Sequence, residues 1–228
     1  MVKLAILISG RGSNMIRLAE TISKAKLDAR ICIVISNKPC DGISHAAALD
    51  IPTKIIEKHN FDNRDAHDAA IRDAILTAGA DYVFLAGYMA ILGAEFTTHF
   101  AGKLINIHPS LLPLFKGLDT HQRALDANAA QHGATVHLVT ATLDDGPIIL
   151  QAQLTILPDD NADSLAARVL RLEHQLYPFV LKSLIAGQVT LSPSGVIWHQ
   201  PRAALHSADA ETQEVLSSAL CWPTASNA

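Results

Sequence analysis

Cysteine is scarce in this chain, and its placement does not suggest a disulfide framework. Cys32, Cys40 and Cys221 form no CxxC pair and leave an odd thiol among the 228 residues. Unpaired thiols of this kind are typical of proteins in a reducing compartment. The sequence therefore predicts a cytoplasmic protein.

Long apolar runs and clusters of basic residues are missing too. The apolar segment 3–8 is too short for a signal peptide, and no run approaches the roughly 20 residues that a membrane span needs. Lysine and arginine total 18 against 22 acidic residues, and they are scattered along the chain. Without a basic stripe the protein is not expected to bind nucleic acid. Neither a membrane nor a polyanion is an expected partner.

The common motifs of nucleotide, metal and serine chemistry are missing or incomplete. The first glycine loop continues with Ser13 and Asn14 instead of completing GxGxxG, and the second predicted strand ends at 36–38 without a carboxylate for a ribose. The P-loop, HExxH and GxSxG patterns do not occur. His132 and His137 are five apart and are expected to straddle a loop and a strand, so we predict no metal site.

Apolar strands alternate with segments of helical period along most of the chain. Because the strands are apolar on both faces and helices connect them, the pattern predicts a three-layer α/β fold, an open and mostly parallel sheet with helices on both faces. The predicted strands are 3–8, 30–35, 52–56, 81–86, 103–107, 134–139, 147–157, 189–191 and 195–198, and the predicted helices are 14–25, 42–49, 64–78, 91–99, 119–131 and 161–186. The segment 201–228 has little periodicity and is expected to be a loosely ordered tail.

The first stretch with chemical content is the loop Gly10–Asn14, between the first strand and the first helix. Its glycines let backbone N–H groups face a ligand, and the helix start adds a partial positive charge. Ser13 and Asn14 can donate hydrogen bonds or cap the helix. An ordinary strand-to-helix turn is the alternative. The position in an α/β unit favours a site for a small phosphorylated compound.

The second stretch is the strand end that carries Asn106 and His108. Ligands of open α/β sheets bind at the carboxyl ends of strands, and residues two apart on a strand point to the same side. An amide donor and a titratable imidazole can therefore face one reacting atom. A capped strand end, with both side chains bonded to loop backbone, is the alternative in a chain with 11 histidines.

The third stretch is the acidic turn of Asp144 and Asp145. A solvated turn is the plain alternative for such a sequence. A carboxylate packed against His108 would instead favour the imidazolium form and make the histidine a better general acid. The residues alone do not rank Asp144 above Asp145.

Seven stretches follow one another in the order of a known enzyme family. They are SGRGSN at 9–14, SNK at 36–38, LAGYM at 85–89, NIHPSLLP at 106–113, HGATVHLVT at 132–140, LDDGPIILQ at 143–151 and LEHQLYP at 172–178. Over about residues 3–200 the chain resembles the phosphoribosylglycinamide formyltransferases, which are folate-dependent enzymes of purine synthesis. The resemblance implies one Rossmann-like formyltransferase domain over 1–200, with a phosphate-binding half of about 1–100 and a folate and catalytic half of about 101–200.

The resemblance also implies a reaction. In this family a formyl group passes from the co-substrate 10-formyltetrahydrofolate to the amine of glycinamide ribonucleotide (GAR), through a tetrahedral intermediate and without a metal. By resemblance, Asn106 and His108 stabilise or protonate the oxyanion. Asp144 supports the imidazolium and helps the amine proton to leave. Direct attack by the amine agrees with the missing nucleophile and metal motifs.

Two sets of residues match the substrate contacts of the family. The GAR set is Arg11, Gly12, Ser13, Asn14, Leu170 and Glu173. The folate set is Arg64, Met89, Ala90, Ile91, Leu92, Asn106, Thr140, Ala141, Thr142, Leu143 and Asp144. A solvated helix position is the plain alternative for Glu173, and a place in the core is the alternative for the apolar residues of 89–92.

One residue departs from the family pattern. Ala90 stands where the family commonly has an arginine near the glutamate tail of the folate, whereas Arg64, which matches a second arginine of that region, is retained. We expect the pterin pocket to be kept. Recognition of the tail is then expected to depend on Arg64 or on other basic groups.

Other functions are weighed against this one. Formyltetrahydrofolate deformylase shares the Asn, His and Asp set but usually has a preceding regulatory domain, whereas this chain starts at its first strand and has the phosphate loop. Methionyl-tRNA formyltransferase normally adds a tRNA-binding domain, which the tail 201–228 is too short and too poor in basic residues to form. A non-catalytic phosphometabolite-binding module would not need Asn106, His108 and Asp144 together. The expected partners are GAR and the folate, and a homodimer is left open.

Overall fold

The computed structural model describes residues 1–206 and 208–222, and its central sheet has eight strands. Helices surround this mostly parallel sheet, which confirms the predicted fold class. Contacts divide the chain into two compact units, Met1–Asn106 with Val139–Ala141, and Ile107–Leu138 with the chain from Thr142 onward.

The elements follow the predicted order along the chain. The strands are β1 (Val2–Ile8), β2 (Ala29–Ser36), β3 (Thr53–Ile55), β4 (Tyr82–Leu85), β5 (Leu104–His108), β6 (Gln131–Leu138), β7 (Ile148–Thr155), β8 (Val189–Ser192), β9 (Gly195–Trp198) and β10 (Leu220–Cys221). The helices are α1 (Ser13–Lys24), α2 (Asp41–Ala48), α3 (Arg64–Ala78), α4 (Ala94–His99), α5 (Thr120–Asp126), α6 (Ala162–Ile185), α7 (Pro201–His206) and α8 (Ala210–Leu216). Of the helices within residues 1–206 and 208–222, none combines the length and the apolar character that a membrane crossing needs.

The first unit is a parallel sheet with the strand order β3-β2-β1-β4-β5. Alternate residues of β1 face opposite sides, as the pleat of a strand requires. Leu7 packs in one core with Ile71 of α3 and Phe96 of α4. Ile8, on the other face, lies near Gly12 at the start of α1. Helices therefore cover both faces, which explains why these strands read as continuous apolar runs.

The second unit has the antiparallel strand order β6-β7-β10. The long helix α6 packs on β6 and β7. A capping box at Asn161 starts this helix, since the Asn161 side chain accepts from the N–H of Ser164 while the Ser164 hydroxyl accepts from the N–H of Asn161. The hairpin β8–β9 is held to β7 by the indole N–H of Trp198, which donates to the carbonyl of Ile149 at 2.8 Å.

Residues 201–206 and 208–222 form short helices and a strand where the sequence predicted a loosely ordered tail, and residues 207 and 223–228 of that prediction lie outside the described residues. Helix α8 packs on α6, where Gln175 donates to Glu211 at 2.7 Å and the hydroxyl of Thr212 donates to Gln175 at 3.1 Å. Lys182 forms an ion pair with Asp209, and β10 pairs with β7. Short elements of this kind depend on tertiary contacts, which a sequence of weak periodicity does not reveal.

Two predicted helices are shorter in the structure. The helix expected at 91–99 begins at Ala94, because Gly93 is its N-cap and donates its N–H to Asp68 at 2.7 Å. The helix expected at 119–131 ends at Asp126, where a turn follows with a left-handed backbone at Asn128 (φ 50°). Asparagine tolerates this conformation better than most residues. Strand β6 consequently starts at Gln131, earlier than predicted.

Candidate active site

The loop between β1 and α1 has the geometry that its sequence indicated. Gly12 is the N-cap of α1 and has a left-handed backbone (φ 73°, ψ 25°), which glycine adopts without steric strain. The first turn of α1 contains no acidic residue, so nothing there opposes an anion at the helix start. The N-cap is thus Gly12 rather than Ser13 or Asn14. Asn14 is buried, Ser13 is half-buried and Arg11 is exposed.

A second glycine, Gly42 of α2, fixes the position of this loop. Its N–H donates to the carbonyl of Gly10 at 3.1 Å. A Cβ atom at Gly42 would lie 2.6 Å from Cδ1 of Ile8 and 2.7 Å from the oxygen of Gly10, so only glycine fits this approach. His45 adds a contact from the same helix, because its Nδ1 lies 3.1 Å from the carbonyl oxygen of Arg11 and must donate to it.

The segment Gly87–Gly93, after β4, presents apolar side chains to solvent. Met89 is 67% exposed and Ile91 is 64% exposed, whereas Leu92 is buried in the core. The core alternative therefore holds for Leu92 and is wrong for Met89 and Ile91. The N–H of Met89 donates to Oγ of Ser9 at 2.8 Å, which fixes the segment to the end of β1. Exposed apolar side chains on a fixed backbone suit the binding of a flat organic ring.

Arg64 lies beside the end of this segment. It is the first residue of α3, its side chain is 52% exposed, and its Nε is 3.9 Å from Oδ1 of Asp65. A Cβ atom at Gly93 would lie 3.5 Å from Nε of Arg64. Ala90 is half-buried in the segment. The guanidinium is therefore close to the predicted folate residues, and the loose contact with Asp65 leaves it available to an anion.

Strand β5 places Asn106 and His108 two residues apart at its carboxyl end. Asn106 is in register with Leu85 of β4 and is half-buried. His108 is 5% exposed. Its Nε2 is 3.1 Å from the carbonyl oxygen of Phe115. Because a carbonyl only accepts, Nε2 carries a hydrogen and donates it.

The other ring nitrogen of His108 faces the acidic turn of Asp144 and Asp145. Its Nδ1 lies 3.5 Å from Oδ2 of Asp144, whose side chain is only 9% exposed. Oδ2 accepts from the N–H of Gly117 at 2.9 Å, and Oδ1 lies 3.8 Å from Nε2 of His137. Burial lowers the pKa of His137 to about 4, and the charge of Asp144 opposes this effect. The solvated alternative is thus wrong for Asp144.

Asp145 takes a different direction from its neighbour. Its side chain is 52% exposed and forms an ion pair with Lys116. Asp144 has a left-handed backbone (φ 48°), which turns the two adjacent carboxylates apart. The structure therefore ranks the two residues, since Asp144 alone contacts His108.

The turn after β5 is held by polar side chains of β6 and β7. Thr135 donates its hydroxyl to the carbonyl of Ser110 at 2.6 Å and accepts from the N–H of Leu112 at 3.1 Å. Gln151 donates to the carbonyl of Leu112 at 2.9 Å. These bonds fix the backbone that leads from His108 to Phe115.

Glu173 of α6 is buried, with 8% of its surface exposed, so the solvated alternative is wrong. Leu170, one turn earlier on the same helix, is half-buried. A carboxylate is rarely buried unless a partner compensates its charge. The remaining predicted folate residues, at 140–143, lie in the exposed turn that precedes Asp144.

Two further histidines lie near His108. His132 and His137 are both on β6, so the prediction that they straddle a loop and a strand is wrong. His132 is 1% exposed, and its Nε2 lies 3.1 Å from Nδ1 of His121. Burial and the charge of His121 lower the pKa of His132 to about 4. Within residues 1–206 and 208–222 no group of three or more His, Cys, Asp or Glu side chains could hold a metal ion.

Several residues that support the site were missed by the sequence reasoning. They are Ser9, Gly42, Phe115, Gly117, Thr135 and Gln151. A polar residue inside an apolar strand, such as Thr135 in HGATVHLV, is the signal that could have found two of them. Phe115 and Gly117 act through backbone groups, which residue type does not reveal.

Comparison with known proteins gives one consistent result. The model of the formyl transferase family matches residues 2–181. The phosphoribosylglycinamide formyltransferase of Haemophilus influenzae is 42% identical over 192 residues, which are 84% of this chain and 91% of that protein. The Escherichia coli enzyme of the same name is 39% identical over 83% of this chain and 90% of its own length.

Solved structures agree with these sequence matches. The structure of the phosphoribosylglycinamide formyltransferase of Coxiella burnetii superposes with a TM-score of 0.82 at 41% identity, covering 86% of this chain and 93% of that one. The glycinamide ribonucleotide transformylase 1 of Symbiobacterium toebii gives a TM-score of 0.83 at 34% identity, covering 87% and 94%. The chain therefore belongs to the formyl transferase family.

Proposed function

We propose that the chain is a phosphoribosylglycinamide formyltransferase, which transfers the formyl group of 10-formyltetrahydrofolate to the amine of GAR. The observation that carries the proposal is the buried contact of His108 with Asp144, 3.5 Å apart at the end of β5. The family match and the relatives that bear this name support it. The amine attacks the formyl carbon directly, and a tetrahedral oxyanion forms. This intermediate collapses when the bond from the formyl carbon to N10 of the folate breaks and N10 takes up a proton, so that tetrahydrofolate leaves.

His108 supplies a proton donor for that oxyanion. Its Nε2 hydrogen is held by the carbonyl of Phe115, which is a neutral acceptor. A developing oxyanion is a stronger acceptor than a carbonyl, so it takes over this hydrogen as charge builds up. Asn106, two residues earlier on β5, donates its amide hydrogen to the same oxygen. Asp144 holds the ring through Nδ1 and accepts the proton that the attacking amine loses.

The phosphate of GAR binds at the start of α1. Backbone N–H groups of 12–14 and the helix dipole stabilise its charge, and Arg11 is exposed where it can close over it. Glu173 and Leu170 of α6 bind the glycinamide and ribose part, as the family resemblance implies. The absence of an acidic residue from the first turn of α1 supports the assignment of the phosphate to the start of this helix.

The folate binds against the exposed apolar side chains of Met89 and Ile91 and against the turn 140–144. Leu92 and Ala90 support this surface from within the segment. Arg64 pairs with the glutamate tail of the folate. Ala90 cannot do so, although it stands where the family commonly has an arginine. A cytoplasmic location and a homodimer remain predictions from the sequence and the family.

Formyl transfer can be tested by supplying 10-formyltetrahydrofolate with GAR and following both formyl-GAR and free formate. We expect formyl-GAR as the product, and formate alone would indicate the deformylase alternative. Asp144→Asn should lower kcat by about 10²-fold or more, because it removes the proton acceptor, while GAR binding measured by calorimetry is kept. Asp145→Asn is the matched control and should keep wild-type turnover. A wild-type rate in Asp144→Asn would remove this carboxylate from the mechanism.

A further inference from the structure

Arg123 of α5 binds the backbone of the segment Phe115–Leu118. One guanidinium nitrogen donates to the carbonyl oxygens of Lys116 at 2.6 Å and of Leu118 at 3.2 Å. The guanidinium carbon also lies 5.8 Å from the centroid of the Phe115 ring, within the range of a cation–π contact. A single exposed side chain thus holds three positions of one short segment.

The bond to Lys116 fixes the orientation of one particular peptide unit. A trans peptide is planar, so the carbonyl of Lys116 and the N–H of Gly117 point in opposite directions. While the carbonyl is held by Arg123, the N–H of Gly117 is directed at Oδ2 of Asp144, and it donates there at 2.9 Å. Gly117 has a left-handed backbone (φ 80°), which lets the segment present this N–H without strain.

The same carboxylate oxygen is the one that faces His108. Oδ2 of Asp144 lies 3.5 Å from Nδ1 of the imidazole. The other ring nitrogen, Nε2, donates to the carbonyl of Phe115, which belongs to the segment that Arg123 holds. The segment therefore contacts both partners of the buried pair, one through an N–H and the other through a carbonyl. A charged donor on the Lys116 carbonyl also polarises the peptide and strengthens the N–H as a donor.

We propose that Arg123 is a positioning residue, which orients the Lys116–Gly117 peptide so that it holds Asp144 against His108. The kinetic part of this inference rests on the proposed function, whereas the hydrogen bond at Gly117 does not. The pair of Lys116 and Asp145 joins the same two loops through side chains that are 34% and 52% exposed. Exposed pairs of this kind contribute little, so we expect Arg123 to matter more.

The plain alternative is an arginine that only stabilises the start of α5. The two roles differ in what they change. Loss of local stability would lower the melting temperature and leave the turnover of the folded protein unaltered. Loss of positioning would lower kcat and leave the binding of GAR unaltered, because Arg123 bonds to the backbone of the segment Phe115–Leu118, which is not among the residues assigned to GAR.

The test compares Arg123→Ala and Arg123→Lys with Gln122→Ala, which removes an exposed neighbour on the same helix whose side-chain amide donates to Asp126 at 2.7 Å. We expect Arg123→Ala to lower kcat by about 10-fold or more, since a misplacement of about 1 Å can cost about 10²-fold, with the KM for GAR within about twofold of wild type. Arg123→Lys should recover part of the rate, because an ammonium can still bond one carbonyl. Gln122→Ala should behave as wild type.

A second measurement does not require turnover. The amide proton of Gly117 in ¹⁵N-labelled protein should resonate downfield in wild type, as expected for a bond to a carboxylate, and should move upfield in Arg123→Ala. An unchanged Gly117 amide together with wild-type kcat would overturn the inference. If the wild-type protein transferred no formyl group, the proposed function would fail, while the Gly117 shift would still decide whether Arg123 orients the peptide. If Arg123→Ala did not fold, the same two readouts in Arg123→Lys would decide it.

Discussion

The buried imidazole of His132, which contacts His121, predicts a specific loss of stability in mild acid. His132 is 1% exposed, and its pKa is lowered from 6.5 to about 4 by burial, with a smaller effect from the charges of His121 and His108. The unfolded chain therefore binds a proton at a higher pH than the folded protein does. This contribution to stability is present above about pH 6.5 and is lost as the pH falls towards about 4.

The size of the effect follows from the two pKa values. A difference of about 2.5 pH units at about 1.36 kcal/mol each corresponds to roughly 3 kcal/mol once both states are protonated. At about pH 5 the unfolded state is almost fully protonated and the folded state is not, so about 2 kcal/mol is already lost relative to about pH 7.5. The lowered pKa values of His121 and His137 act in the same direction.

Urea unfolding at about pH 7.5 and about pH 5 measures this loss, and His132→Gln isolates the share of one side chain. The variant is less stable at both values, but its loss between them should be smaller than that of wild type by about 2 kcal/mol. His59→Gln is the control, since His59 is 73% exposed. Equal losses in wild type and His132→Gln would refute the assignment of a depressed pKa to His132.

Two further predictions concern the substrate loops. Gly42→Ala places a methyl group 2.7 Å from the oxygen of Gly10, so we expect the free energy of unfolding, measured in urea, to fall by about 1–3 kcal/mol and the KM for GAR to rise. Gly10→Ala is the control, because a Cβ atom there meets nothing within 4 Å and the variant should unfold like wild type. Equal stability of the two variants would contradict this steric reasoning. Arg64→Ala should weaken binding of polyglutamated folate more than of the monoglutamate, measured by calorimetry for both ligands, and unchanged affinity for both would exclude a contact between Arg64 and the tail.

The sheet, and the places of the candidate site residues on it, could be predicted because both depend on local signals. Continuous apolar strands require cover on both faces, and the loop Gly10–Asn14 and the strand end at His108 follow directly from the strand boundaries. The choice between Asp144 and Asp145 could not be made in this way. It depends on a left-handed backbone at Asp144 and on an N–H from Gly117, and both arise from tertiary contacts.

The residues that hold the site in place were less predictable than the residues that form it. Arg123 contacts carbonyl oxygens, which every residue type possesses, so the sequence gives no sign of its partners. Helix α8 and strand β10 were hard to predict for a similar reason, because contacts with α6 and β7 stabilise them rather than their own periodicity. Family resemblance supplied Asp144 and Glu173, whose burial could not be read from single residues.

The two edge strands of the central sheet affect how copies of this chain associate in solution. An uncovered marginal strand offers a ladder of unbonded amides to strands of other molecules, which is a common route to aggregation. One edge strand is β3, which has three residues, and the other is β10, which has two residues and pairs with β7 of the same chain. Both edge strands are too short to pair well with a strand of another molecule, so association through continuous intermolecular sheets is disfavoured.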